Sequence, residues 1–255
     1  MPIKSLGQHW LTDRGVLAAI ANAADLTPDD TALEIGPGLG TLTSELLRRA
    51  GRVVAVEFDQ ELAAKLPAQF PGKNLDVVAG DILTYDLSQL PAGYKVVANV
   101  PYYITSKIVD KLMSADNRPR LSVLLVQQEV AERIAAGPGD MSLLAISAQI
   151  YAETSLGVNV PRQYFTPPPK VDSQVVILKT RPAPLVAVHD QKQFWRLVRA
   201  GFVGKRKKLR SSLSAGLALE KTDVEALLKR AGIDPNCRAQ DLSIDDWLAV
   251  VRELS

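Results

Sequence analysis

The chain has 255 residues, 47% of them apolar and 23% charged, with a formal net charge of only +2. That length supports one large domain or a large and a small one, and the composition is globular rather than disordered or fibrous. Cys237 stands alone, which excludes a disulfide framework and a cysteine-built zinc cluster, and with only His9 and His189 no histidine-built metal site is expected.

No apolar run approaches the roughly 18 residues that span a bilayer, and the opening MPIKSLGQHW lacks the apolar centre of a secretion signal, so a cytoplasmic protein without a membrane partner is expected. From Thr31 to about Lys179, short apolar runs alternate with helical patterns, as in a mostly parallel sheet flanked by helices. TALEI, RVVAV, LDVVAG, YKVVAN and LSVLLV are the expected strands, with helices over Thr41 to Ala50, Gln60 to Gln69 and Thr105 to Ser114. SLGVNV and SQVVILKT then flank PRQYFTPPPKVD, whose consecutive prolines forbid a helix. An antiparallel pair joined by an ordered loop is expected there. TRPAPLVAV reads as a linker, and beyond it come helices over Gln191 to Val203, Lys207 to Leu217, Asp223 to Ala231 and Ser243 to Leu254. Gly216 and Gly232 sit at expected C-caps. The fold class is therefore α/β, with one domain over residues 1–182 and a small all-α domain over 189–255.

LEIGPGLGTLT places Gly36, Gly38 and Gly40 between a strand and a helix, where glycines permit a tight turn and close approach to a ligand. A plain tight turn is the competing reading. The spacing is not the dinucleotide pattern G-x-G-x-x-G, and Glu34 before it suits a cationic ligand better than a pyrophosphate. S-adenosylmethionine carries a sulfonium and an ammonium and no phosphate. Glu57, ending RVVAVE, can accept both hydroxyls of a ribose, which points to a nucleoside without saying which. Asp81 follows the third strand and can accept from an adenine amino group with Ile82 packing on the ring, although an ordinary Asp turn explains it as well.

Asn99-Val100-Pro101-Tyr102-Tyr103 follows the fourth strand. An adenine exocyclic amine is a poor nucleophile because its lone pair is delocalised into the ring. Two acceptors aimed at its N–H groups, the Asn99 side-chain oxygen and the Val100 carbonyl, would help it become pyramidal, with Pro101 fixing the turn that holds them. Tyr102 can stack on a base swung out of its helix. Tyr103 has no clear task beyond packing.

KSLGQHWL, EIGPGLGTLT, VVAVEFD, GDIL, NVPYYITSKI, VLLVQQEVAERI, PRQYFTPPPKVDSQVV and KRKKLRSSL together resemble the ribosomal RNA adenine dimethyltransferases of the KsgA type, with the macrolide-resistance rRNA methyltransferases as close cousins. The resemblance spans almost the whole chain. It implies a Rossmann-like, S-adenosylmethionine-dependent methyltransferase fold whose mostly parallel sheet ends in an antiparallel hairpin. It also implies dimethylation of N6 on two adjacent adenosines near the 3′ end of small-subunit (16S) ribosomal RNA, in an immature 30S particle, as a step of subunit biogenesis. By position, the family's cofactor contacts fall on His9, Leu11, Gly36, Glu57, Asp81 and Asn99, with Gly38 in the same loop. Trp10 stands where Phe is expected and His9 where Asn is frequent, so the pocket near the methionine end departs from the family pattern. Phe165 resembles the family's second aromatic for clamping the target base.

Lys205, Arg206, Lys207, Lys208 and Arg210 form a block of one sign that would repel itself unless anions sit against it, so phosphate contact is expected. Ser211, Ser212 and Ser214 can add neutral phosphate hydrogen bonds, Phe202 either stacks or packs, and Arg133, Arg162 and Lys170 can frame the pocket mouth. A monomer is expected, since nothing in the sequence suggests a dimer interface. The alternatives are a large-subunit rRNA methyltransferase, an RNA-binding assembly factor that leaves its cofactor fold idle, and an NAD-dependent dehydrogenase. The last would need a phosphate-friendly glycine loop.

Overall fold

A computed structural model describes residues 9–204 and 206–254, so Lys205 lies outside the described residues. The chain opens with β1 (Trp10–Leu11) and α1 (Arg14–Ala23), the latter started by Asp13, whose carboxylate accepts the Val16 N–H at 2.9 Å. There follow β2 (Thr31–Ile35), α2 (Thr41–Leu46), β3 (Arg52–Glu57), α3 (Gln60–Lys65), β4 (Leu75–Ala79), β5 (Lys95–Asn99), α4 (Thr105–Ser114) and β6 (Leu121–Gln127). Two short helices, α5 (Gln128–Ile134) and α6 (Leu143–Gln149), precede β7 (Ala152–Val160), β8 (Phe165–Thr166) and β9 (Ser173–Thr180). The chain ends in α7 (Gln191–Gly201), α8 (Leu209–Leu217), α9 (Lys221–Arg230) and α10 (Ile244–Glu253).

Among the described residues the main sheet has seven strands in the order β4-β3-β2-β5-β6-β9-β7. The first five are mutually parallel and β9 runs antiparallel to both neighbours, so the expected closing hairpin is present. Parallel strands covered on both faces need continuous apolar runs, and Val53 to Val56, Val96 to Ala98 and Val123 to Val126 are buried without interruption. Besides α5 and α6, two features escaped sequence reading. One is α1, although Asp13 followed by Leu17, Ile20 and Ala21 is a legible helix start; these three residues are buried. The other is the two-stranded pairing of β1 with β8, which ties Trp10 to Thr166 and Leu11 to Phe165.

The chain forms two compact units: the described residues up to Glu132 with Ala152–Arg181, and Arg133–Tyr151 with Pro182 onward. Residues 133–151 therefore leave the α/β region in which their place in the chain, between two strands, would put them. Hydrogen bonds carry this: the Gly139 and Met141 N–H groups donate to the Gln240 carbonyl at 2.9 and 3.1 Å, and the Leu185 N–H donates to the Ile150 carbonyl at 2.8 Å. Within the second unit, α10 is capped by a reciprocal Ser243 and Asp246 box, and Trp247 is fully buried.

Gly232 has φ +75° just after α9, as a C-cap requires, but Gly216 lies inside α8, which ends one residue later at an Ala218 cap. Its reason is close approach. A Cβ there would sit 2.5 Å from the Ala200 Cβ and 2.7 Å from the Ala200 Cα on α7. We expect Gly216→Ala to lower stability by about 1–3 kcal/mol through overpacking, against the roughly 1 kcal/mol that helix propensity alone would add. Urea unfolding decides between the two, since a rise in midpoint would show that the helices do not need glycine to meet.

Candidate active site

The strand order reverses between β2 and β5, the switch point outside which open α/β sheets take ligands. There the ends of β2, β3, β4 and β5 deliver Gly36 with Gly38, Glu57, Asp81 with Ile82, and Asn99 to a single cleft of about 310 Å³. Val100, Pro101 and Tyr102 line the same cleft, and the β1 pairing brings His9 and Leu11 to its edge. The volume suits a small-molecule ligand.

Gly36, Gly38 and Gly40 have φ of +66°, +57° and +78°, left-handed values that side chains rarely adopt. At Gly36 a Cβ would meet nothing within 4 Å, so the backbone there faces open room, whereas at Gly40 it would strike Leu66 at 2.8 Å. The loop is held by Glu57. One carboxylate oxygen accepts the Gly38 N–H at 2.9 Å and the other accepts the Asp59 N–H at 2.8 Å. This clip was invisible in the sequence, where Glu57 reads only as a ligand acceptor; a carboxylate has about four acceptor positions and can do both. The Trp10 indole packs on Gly38, at 3.4 Å from where a Cβ would lie.

Glu34, 1% exposed, accepts the Thr43 hydroxyl proton at 2.6 Å. Burial, seconded by the nearby Glu57 charge and opposed by the Thr43 hydrogen bond, pushes its carboxyl up to about 8. Glu34 is thus mainly neutral at pH 7.

The Asn99 side-chain N–H donates to the His9 carbonyl at 3.1 Å. A carbonyl only accepts, so this contact sets which way round the amide lies and keeps its oxygen off His9. The His9 Nδ1–H in turn donates to the Pro167 carbonyl at 2.7 Å. The Tyr102 hydroxyl lies 2.6 Å from that of Ser173, and its ring is roughly parallel to His9 with centroids 6.0 Å apart. Burial raises the Tyr102 phenol above its ordinary range, so it stays protonated. Tyr103, expected only to pack, is 63% exposed and lines the cleft, as does exposed Phe58.

Several expectations need correction. Phe165 is 2% exposed, packs in the core with Leu11 and Val175, and does not line the cleft, so its ring is not presented to a base. The β8 pairing opposite Leu11 is what turns it inward. Asp81 makes an ordinary Asp turn: one oxygen accepts the Leu83 N–H at 2.9 Å. In the basic block, Arg210 is ion-paired with Glu225 across α8 and α9, and Lys208 donates to the Asn236 side chain at 2.9 Å. Arg206 and Lys207 are exposed and make no ion pair among the described residues. Ser212 is buried and the Ser214 hydroxyl donates to the Leu219 carbonyl at 2.7 Å, so neither faces phosphate. Phe202 packs against Trp247, with ring centroids 6.1 Å apart. Arg162 braces the proline loop by donating to the Lys170 carbonyl at 3.2 Å.

Comparison with known proteins gives this geometry a setting. The chain is 32% identical to the 23S rRNA methyltransferase ErmE, with a TM-score of 0.79 over 96% of this chain and 99% of that one. It is 28% identical to a dimethyladenosine transferase from Plasmodium falciparum, with a TM-score of 0.81 over 95% and 96%. Fold and cleft thus define a methyltransferase of the S-adenosylmethionine-dependent rRNA-modifying class. A curated relative from Dehalococcoides mccartyi, ribosomal RNA small subunit methyltransferase A, is 44% identical over 96% of this chain and 85% of its own length. One of the same name from Moorella thermoacetica is 42% identical over 100% and 93%. The model of the ribosomal RNA adenine dimethylase family matches residues 3–255, and the chain belongs to that family.

The buried carboxyl yields a pH test. The folded value of Glu34, about 8, lies above its ordinary 4.5, so between them the native state holds a proton that the unfolded chain has lost. Its contribution therefore falls as pH rises through that window, by up to about 1.4 kcal/mol per pH unit. Glu34→Gln removes the titration, and its stability relative to the parent should climb steadily from about pH 5 to pH 8 in urea unfolding. Parallel curves for the two proteins would show that Glu34 is ionised in the fold.

Proposed function

We propose that the cleft binds S-adenosylmethionine and that the enzyme dimethylates N6 of two adjacent adenosines near the 3′ end of 16S ribosomal RNA, acting as a cytoplasmic monomer on an immature 30S particle. The residues fit this cofactor. Open room beside Gly36 admits a ligand against the backbone, and the acceptors Glu57 and Asp81 match ribose hydroxyls and an adenine amine. Buried and held neutral, Glu34 does not itself supply the negative charge for a cation that its place before the glycine loop suggests. When bound, S-adenosylmethionine supplies a methyl group on a positively charged sulfur. His9 and Leu11 border it from β1, and Ile82, 4% exposed, packs under the adenine.

The observation that carries the mechanism is the Asn99 amide held by the His9 carbonyl. Its free oxygen and the Val100 carbonyl accept the N–H groups of the adenosine amine, two in the first transfer and the one remaining in the second, and draw its lone pair out of conjugation with the ring. Pro101 sets the turn between them. Tyr102, fixed by Ser173, stacks on the target base, and Tyr103 at the rim is free to receive it. No strong base is required, since the methylated nitrogen sheds its proton readily once it has become positive. Arg206 and Lys207, together with Lys205, supply phosphate contacts.

Small-subunit RNA is favoured over large-subunit RNA by the two curated relatives at 42–44% identity, each exceeding the 32% identity to the 23S enzyme. Incubating the protein with tritiated cofactor and unmodified 30S and 50S subunits should label adjacent adenosines in the former. We expect Asn99→Ala to lower turnover by roughly a hundredfold to a thousandfold while calorimetry finds S-adenosylhomocysteine bound nearly as tightly. Full activity in that variant would remove Asn99 from the mechanism.

A further inference from the structure

Helix α7 reads QKQFWRLVRAG, with three cations and no acid. The helical period places Lys192, Arg196 and Arg199 on one face, and all three are exposed, while Phe194, Leu197 and Val198 are buried on the other. None of the three cations makes an ion pair among the described residues, although Arg199 lies over the Trp195 ring at 5.8 Å. Like charges four apart on a helix repel weakly, and an anion against this face relieves that repulsion.

Beside this stripe is a slot of about 450 Å³ within the same helical unit. Lys192 and Arg196 line it together with Leu197, Leu217, Leu219 and Leu254; no acidic residue does, although His189, which also lines it, lies 3.3 Å from the Asp190 carboxylate. A bare phosphate would leave the leucines uncovered, and an apolar chain would leave the cations unpaired. A nucleotide has a flat apolar face and a negative charge about one sugar apart. Unpaired RNA is recognised through this combination, splayed bases on apolar or stacking surfaces with cations along the backbone.

We infer that this face of α7 binds a single-stranded segment of ribosomal RNA, with one unpaired base on the leucines and the flanking phosphates on Lys192 and Arg196. The inference rests on the reading that ribosomal RNA is the substrate and adds a contact outside both the cleft and the Lys205 to Arg210 block. An acidic peptide is the competing occupant. Trp195 with its Arg199 neighbour favours RNA, because a guanidinium laid over an indole offers a further stacking surface and a peptide carboxylate has no use for one.

The test uses the full chain and a fluorescein-labelled single-stranded oligoribonucleotide of about ten nucleotides, with polyglutamate as the competing probe. Lys192→Gln/Arg196→Gln should weaken RNA binding about tenfold and make the plot of log affinity against log salt shallower by about 1.4, the slope for two phosphates on a single strand. Leu219→Ser, at a half-exposed position, should weaken binding severalfold with the slope unchanged, which separates base contact from phosphate contact. Unaltered RNA affinity and slope in the double variant would overturn the inference, as would loss of polyglutamate binding with RNA binding retained. Labelling of the 30S subunit by the parent protein is scored separately. If that labelling fails while the double variant still loses RNA affinity, the substrate reading falls and the α7 site stands.

Discussion

The carboxylate of Glu57 holds the cleft in shape. A loop with three left-handed glycines has little intrinsic preference for one conformation, and α2 starts from Gly40 with no side chain to cap it. By accepting the Gly38 and Asp59 N–H groups, Glu57 ties the loop and the start of α3 to the end of β3. Two backbone donors satisfy its oxygens, which burial without partners would make costly. Trp10 can then lie on Gly38, and the open side of the loop at Gly36 remains clear.

The same end of the sheet gathers a second buried carboxyl, Glu34. Its one donor is the Thr43 hydroxyl, and burial raises its proton affinity. Glu57 shapes the loop and keeps acceptor positions for a ligand, while Glu34 is held protonated beside it. The amide of Asn99 follows the same logic of satisfaction: its N–H is committed to the chain that closes over it, which leaves the oxygen as the group with a vacancy.

In the helical unit, cations divide by what faces them. A block dense in the sequence is thinned in space, since Arg210 is paired with Glu225 and Lys208 is bonded to Asn236. The α7 cations are sparse in the sequence, yet the helical period aligns them on one face, where none makes an ion pair among the described residues. Charge available to a partner is thus a property of surfaces, not of runs.

Much of the α/β core was legible because parallel strands buried on both faces must be continuously apolar, and because the residues at four strand ends carry chemistry that packing does not explain. The proline loop and closing hairpin were legible for a similar local reason, since proline removes a donor wherever it stands. What local pattern cannot encode is the partner that arrives from far along the chain. Phe165 resembles an exposed clamp until β8 pairs with β1 and turns its ring inward, and Gly216 resembles a cap until Ala200 is found against it. Residues 133–151 read as part of the sheet region until Gln240 takes their N–H groups. Glu57 reads as a ligand contact alone until Gly38 is found on one of its oxygens. Composition and periodicity determined which segments form strands and helices, because those preferences act between neighbours in the chain. Only tertiary structure decided which side chains remain free to act, because burial and hydrogen bonding consume them through contacts whose sequence separation leaves no local trace.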